Sequence, residues 1–317
     1  MLVLAVCFAW IAVGIHGVVS YGHGYWKYRG FSPPHDQRGV VPGRLTSVRF
    51  YSTALRQWRS FDVYLPPGYA VERAAGRRFP VLYLLHGSPG GATLFIDAAS
   101  MGVEVDRLLE QHAVTPFLIA MPNGQDGTFT RDTEWANTPH GGYESFVLEV
   151  VHQMDARYPT IPRRRYRAIG GLSEGAYGAV NIALHNLSTF GTAESWSGYF
   201  LQHRTGPFRR ASLASIAANS PISYVGSLAP ELRTLPLRTL IYVGKKDKSA
   251  EAAAGFAFAL RRAGGDVAFQ LVRGGHDWQL WRAMMPRALR FANESFTGSL
   301  HRPAVPLLRP PSHLASS

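Results

Sequence analysis

Eight short apolar or alternating runs punctuate this chain, at about residues 45–52, 60–65, 80–86, 115–121, 165–170, 192–197, 237–243 and 267–272. Pro80-Val81-Leu82-Tyr83-Leu84-Leu85 is continuously apolar, as a strand covered on both faces must be. Helical patterns lie between the runs. Over 143–157, for example, Tyr143, Phe146, Val147, Val150, Val151 and Met154 recur at helical spacing. Strands alternating with helices predict an α/β architecture: a mostly parallel eight-stranded sheet with helices on both faces. Ligands of such sheets bind at the carboxyl ends of the strands. The stretch 198–236 is longer than a simple crossover and is expected to form a small lid.

The two ends of the chain break this pattern. Met1–Ser20 carries no Asp, Glu, Lys or Arg and is rich in Leu, Val, Ile and aromatic residues, nearly enough to cross a bilayer. Residues 1–22 are therefore expected to be a membrane anchor or an export signal, which makes the protein membrane-anchored or secreted. A buried soluble helix competes with that reading, because Gly14, His16 and Gly17 dilute the apolar run. Lys27 and Arg29 follow the segment, a flank that the positive-inside rule keeps in the cytoplasm, so orientation stays open. A single catalytic domain is expected over 40–295. The stretch 298–317, with Pro303, Pro306, Pro310 and Pro311 and little periodicity, is expected to be a flexible tail.

With 317 residues, 46% of them hydrophobic, the chain can bury one substantial core. Its formal net charge of +12 raises the question of a polyanionic partner. The distribution argues against nucleic acid. Lysine occurs only at Lys27, Lys245, Lys246 and Lys248, and arginine is scattered rather than gathered into a stripe. The longest cluster, Arg163-Arg164-Arg165, precedes a strand, at the sheet end opposite the expected site. The excess charge is expected to give at most a weak association with acidic lipid headgroups. Cys7 is the only cysteine, so no intrachain disulfide forms, and Leu4-Ala5-Val6-Cys7 is a poor lipoprotein box because Val6 is bulky. No H-E-x-x-H pair, dinucleotide fingerprint or phosphate loop occurs, and neither a metal nor a cofactor is expected.

The chemistry lies in Gly171-Leu172-Ser173-Glu174-Gly175, between a strand-forming run and a small-residue helical run. That context makes G-x-S-x-G a candidate nucleophile elbow, in which a sharp turn projects a serine hydroxyl towards a base. Upstream, the 80–86 run ends in His86-Gly87-Ser88-Pro89-Gly90-Gly91, a glycine-rich loop suited to offering an amide to a developing oxyanion. The Ser88 N–H is the first choice and the Glu174 N–H the second; Pro89 has none to give. Downstream, Gly244-Lys245-Lys246-Asp247 places a carboxylate after the seventh strand, and Gly274-Gly275-His276-Asp277-Trp278 follows the eighth. The order Ser173, Asp247, His276 is that of α/β-hydrolases. Asp266 and Asp277 compete with Asp247. Asp266 lies at the wrong end of a strand, and Asp277 adjoins His276 too closely for an easy side-chain approach.

The chain resembles the esterase family of α/β-hydrolases that includes the antigen 85 mycolyltransferases, esterase D and the enterochelin esterases. The likeness runs from about residue 45 to about residue 293. It is carried by Val63-Tyr64-Leu65-Pro66-Pro67-Gly68-Tyr69, Tyr83 to Gly87, Tyr143-Glu144-Ser145-Phe146, Asp155-Ala156-Arg157-Tyr158, Gly171 to Tyr177, and Gly275-His276-Asp277-Trp278 with Trp281. The resemblance implies Ser173, Asp247 and His276 as the triad and Ser88 and Glu174 as the oxyanion amides. This chain departs from the antigen 85 branch in having His86 where that branch has aspartate, and Asp247 where it has glutamate. Mycolyl specificity is therefore not carried over.

These readings predict a serine carboxylic-ester hydrolase that works through an acyl-enzyme on a small-molecule or lipid ester. Acyl transfer to a sugar or lipid alcohol would use the same residues, and a silent cell-surface binding module on this scaffold is a third reading. Trp135, Tyr177 and Trp278 are candidates to line the substrate pocket, together with Phe129, Tyr143 and Trp281. Each ring is also of the kind that fills a core.

Overall fold

A computed structural model describes residues 19–127 and 132–298. In chain order, α1 covers 19–28, β1 Arg44–Ser52, β2 Gln57–Leu65, α2 Tyr69–Ala74, β3 Val81–Leu85, α3 Leu94–Asp97, α4 Met101–Glu110 and β4 Leu118–Pro122. There follow β5 Asn137–Thr138, β6 Gly141–Gly142, α5 Tyr143–Arg157, β7 Arg167–Leu172, α6 Glu174–His185 and β8 Thr192–Trp196. The chain continues through α7 Leu213–Ala218, α8 Pro221–Tyr224, α9 Ala229–Thr234, β9 Arg238–Gly244, α10 Ala250–Arg262, β10 Asp266–Val272 and α11 Trp278–Thr297.

Eight strands form one sheet in the order β1-β2-β4-β3-β7-β8-β9-β10. Strands β3, β4 and β7 to β10 run parallel, while β2 is antiparallel to both of its neighbours. This is the α/β-hydrolase sheet that the eight apolar runs predict. The tiny β5–β6 hairpin is an addition, too short to leave a periodic signal. Alternation along β3 explains why its sequence is apolar throughout. Val81, Tyr83 and Leu85 join the layer containing Phe146, Val180 and Phe256 of α5, α6 and α10; Leu82 and Leu84 join the layer containing Val105 and Leu289 of α4 and α11.

The arginine cluster has structural work at the amino-terminal side of β7. Arg164 donates to the Leu187 carbonyl at 2.7 Å and the Phe190 carbonyl at 3.3 Å, closing the loop after α6. The stretch between β8 and β9 contains α7, α8 and α9 and docks on α6. There the Tyr177 hydroxyl donates to the Asn219 carbonyl at 2.6 Å and the Tyr224 hydroxyl donates to Asn181 at 2.8 Å.

Among the described residues, no helix is long and apolar enough to cross a membrane. Most of the 1–22 segment, Cys7, Phe129, and all but the first residue of the 298–317 stretch lie outside the described residues.

Candidate functional site

The carboxyl ends of β3, β7, β9 and β10 deliver the loops that make the site. At the end of β7, Ser173 has φ 55° and ψ −118°, a strained backbone that a side-chain-bearing residue holds only when the surroundings enforce it. Enforcement comes from both sides. The Ser173 amide donates to the Trp196 carbonyl of β8 at 2.9 Å, and its carbonyl accepts from the amides of Ala176 and Tyr177 at 3.0 and 3.2 Å. Gly175 passes so close to β3 that any Cβ there would overlap the Leu85 carbonyl oxygen, which explains the glycine two residues after Ser173.

Ser173 Oγ lies 2.9 Å from His276 Nε2, and His276 Nδ1 lies 2.8 Å from Asp247 Oδ2. Residues 103 and 29 positions apart along the chain thus form one hydrogen-bonded relay. Asp247 also accepts from the Ser249 amide and hydroxyl, at 2.9 and 2.8 Å. Burial alone would raise the Asp247 carboxyl, but the bonds from Ser249 and His276 outweigh it and hold this group below the usual aspartate range. The His276 ring rests on the edge of Trp281, with centroids 5.2 Å apart and planes at 83°. Trp281 is fixed in turn by its Nε1 donating to Ser197 Oγ at 3.2 Å.

Neither rival acid enters the relay. Asp277 caps α11, accepting from the Leu280 amide at 2.9 Å, and also accepts from the Gly275 amide at 3.2 Å. Asp266 begins β10, at the opposite end of the strand from His276, and faces Arg238.

The loop after β3 packs directly against Ser173. A Cβ on Gly87 would lie 3.2 Å from Ser173 Cβ, so Ser88 follows one residue beyond that contact. Among the described residues, the Ser88 and Glu174 amides have no hydrogen-bond acceptor in the protein. His86 lies behind the loop and is buried. The Gly124 amide donates to its Nε2 at 3.0 Å, so Nδ1 carries the proton and donates to the Gly87 carbonyl at 3.1 Å. Burial, reinforced by Arg59, pushes this imidazole down to about 4, and it serves as a neutral brace.

Two of the three candidate pocket aromatics belong elsewhere. Trp135 is wholly buried, with Nε1 donating to the His86 carbonyl at 2.9 Å, and Tyr177 is wholly buried and stacked on Tyr199 at 5.5 Å. Both rings therefore line the interior behind the site and present no face to a substrate. Trp278 is half-buried at the site edge, packed on Trp281 with ring centroids 5.1 Å apart. Sequence reasoning missed Ser249, Ser197 and His86 as supporting groups. The Asp-x-Ser spacing at 247–249 carries a local turn signal that points to the first of them.

A hydroxyl, an imidazole and a buried carboxylate in series, beside two free amides, can move a proton off the hydroxyl and receive negative charge on a carbonyl oxygen. The sheet is that of an α/β-hydrolase, with a serine, a histidine and an aspartate in hydrogen-bonded series at its carboxyl edge. Within that class the chain belongs to the Esterase family, whose model matches residues 52–292. An endo-1,4-beta-xylanase/feruloyl esterase of Xylanibacter ruminicola is 28% identical over 178 residues, which cover 54% of this chain and 24% of that protein. Esterase Rv1288 of Mycobacterium tuberculosis is 29% identical over 156 residues, covering 49% of this chain and 32% of the relative. The chain thus spans about a quarter to a third of the length of these two curated relatives. Among solved structures, a ferulic acid esterase superposes with a TM-score of 0.72 at 25% identity, over 81% of this chain and 100% of that one.

Proposed function

We propose that this protein is a serine carboxylic-ester hydrolase with Ser173, His276 and Asp247 as its catalytic triad. The observation that carries the reading is the continuous relay of 2.9 and 2.8 Å from Ser173 Oγ through the His276 ring to Asp247. Membership of the Esterase family supports the same reaction class.

In this mechanism His276 Nε2 takes the Ser173 proton as the hydroxyl oxygen attacks the ester carbonyl. Asp247 keeps the proton of His276 on Nδ1 and stabilises the imidazolium that forms. The carbonyl oxygen, now negative, is received by the Ser88 and Glu174 amides, each donor contributing roughly 10²–10³ in rate. Collapse of the tetrahedral intermediate expels the alcohol, which takes its proton from His276, and leaves an acyl group on Ser173. Water, deprotonated by His276, then attacks the acyl-enzyme and releases the acid. Hydrolysis is favoured over transfer to another alcohol because the His276 side chain is 40% exposed, so bulk water reaches the general base.

Short-chain acyl and hydroxycinnamoyl esters are the substrates to try first, given the feruloyl and ferulic acid esterases among the similar proteins. Incubation with a fluorophosphonate followed by peptide mass spectrometry tests the nucleophile. The expected result is one adduct, on Ser173, with burst release of p-nitrophenol from p-nitrophenyl acetate. No adduct on folded protein would defeat the reading.

The same proposal places the protein at a membrane surface, held by its amino-terminal segment. Support comes from α1, where Tyr21, Tyr25 and Trp26 are 76%, 51% and 48% exposed directly after the charge-free stretch Met1–Ser20. Tyr and Trp are enriched where a chain leaves the bilayer. Retention of the full-length protein in membranes after carbonate extraction is the expected outcome; complete release into the supernatant would refute an anchor.

A further inference from the structure

The residue after the nucleophile is a glutamate whose side chain turns away from the site and is buried in the loop 132–135. Glu174 Oε1 accepts three hydrogen bonds there: from the Thr133 amide at 2.9 Å, the Thr133 hydroxyl at 3.0 Å and the Glu134 amide at 2.7 Å. This loop contains two successive residues at positive φ, Glu134 at 52° and Trp135 at 49°, a conformation unfavourable for both. Such a turn persists only where something holds it. The Glu174 carboxyl holds the first half, and Tyr199 and Gln202 hold the Glu134 carboxylate from the other side, at 2.6 and 2.9 Å.

From this turn the Trp135 ring runs back towards the oxyanion loop. It donates from Nε1 to the His86 carbonyl at 2.9 Å and meets the His86 ring edge-on at 4.9 Å. His86 then bonds the Gly87 carbonyl, one residue before the Ser88 amide. A single chain of buried contacts thus joins the two amides assigned to the oxyanion, one belonging to Glu174 itself and the other lying two residues beyond His86.

We propose that the Glu174 side chain is a positioning residue: it clamps loop 132–135 against the nucleophile turn and, through Trp135 and His86, sets the separation between the Ser88 and Glu174 amides. The inference rests on the ester-hydrolase reading and adds a role that its triad does not require. Asp132 adjoins the clamp, its Oδ1 accepting from the Glu134 amide at 3.1 Å. Burial, with the charge of Asp132 beside it, raises Glu174 well above the ordinary glutamate range. Burial and Asp132 also push Glu134 up to about 8. The other ionisable groups facing the cluster are the Tyr199 hydroxyl from the segment after β8, Tyr177 of α6 and Tyr143 at the head of α5. As pH rises and Glu174 and Glu134 ionise, like charges face each other in a dry site and the clamp loosens.

The test is kcat and KM for p-nitrophenyl acetate from pH 6 to 10 in the wild-type protein and in E174A, E174Q, W135F and S173A, with fluorophosphonate labelling of each. In E174A, kcat is expected to fall about 10–100-fold with little change in KM, the size of a partly displaced oxyanion donor. E174Q is expected to recover most of that loss, because its amide oxygen accepts the same three bonds. The alkaline fall in wild-type kcat is expected to flatten in E174Q. W135F, which removes Nε1–H together with the pyrrole half of the indole, is expected to lower kcat several-fold. E174A with wild-type kcat, E174Q no better than E174A, or W135F at full kcat would each overturn the clamp. If S173A is at the same time inactive and wild type is labelled on Ser173, the ester-hydrolase reading survives that failure. An unlabelled, inactive wild type removes both. Should E174A not fold, E174Q and W135F decide the question.

Discussion

Ser249 gives both its amide and its hydroxyl to the same oxygen of Asp247, at 2.9 and 2.8 Å, leaving the other oxygen for His276. These donors, with His276, keep the carboxyl ionised despite its burial. A group depressed in the folded state contributes stability above its unfolded pKa and loses it as pH falls through the folded value. Ser249→Ala removes the hydroxyl bond and leaves the amide. The acid limb of the kcat–pH profile is expected to move to higher pH, with kcat at neutral pH down about 3–10-fold, consistent with one bond to a charged group. Acid unfolding should likewise begin at higher pH than in the wild type. Stopped-flow rates and circular dichroism between pH 3 and 8 check both, and an unchanged acid limb would count against the assignment of Asp247.

The relay predicts strong non-additivity. Ser173→Ala and His276→Ala are each expected to lower kcat by on the order of 10⁴–10⁶, with the double variant scarcely worse, because the two groups act in one step. Steady-state kinetics on p-nitrophenyl acetate distinguishes this from independent roles, for which the losses would multiply.

His86 takes up its proton at lower pH than its unfolded counterpart does. Burial lowers it from 6.5 to about 4, so the unfolded chain binds the extra proton first and stability falls as pH drops through that window. The loss on reaching pH 4 is about 3 kcal/mol for this group. Urea unfolding of wild type and His86→Gln at pH 7.5 and 4.5 measures it: the variant starts less stable but is expected to lose less on acidification. Equal losses in the two proteins would show that this ring is not the group responsible.

Gly175 tolerates no side chain. Because a Cβ would overlap the Leu85 carbonyl, Gly175→Ala must push β3 and the start of α6 apart, at a cost of about 3 kcal/mol or more. Expression in inclusion bodies, or a melting temperature at least about 6 °C lower by scanning calorimetry, is expected. A variant with wild-type melting and activity would mean that the turn is looser than its geometry implies.

The eight strands were legible because each is a short apolar or alternating run, continuous in β3, where both faces are covered, and alternating in β1, where one face is exposed. Ser173, Asp247 and His276 were legible because each follows a strand in an order that one fold uses, and the structure brings these three side chains together. Trp135 and Tyr177 were misread as pocket residues for a physical reason. A large ring between polar neighbours looks the same in sequence whether it faces a substrate or closes a gap behind the site, and only the partner of its polar atom separates the two. That partner is the His86 carbonyl for Trp135 and the Asn219 carbonyl for Tyr177. Both lie over 40 residues away in the chain, beyond the reach of any local pattern. The Glu174 side chain was hidden in the same way, since its partners at Thr133 and Glu134 come from a loop without periodicity.

The helices between β8 and β9 hang from α6 by Asn219 on Tyr177 and Tyr224 on Asn181, whereas Ser173, Asp247 and His276 sit at or beyond the carboxyl ends of β7, β9 and β10. Exchanging those helices for a relative's is thus expected to leave the hydrogen bonds from Ser173 through His276 to Asp247 in register.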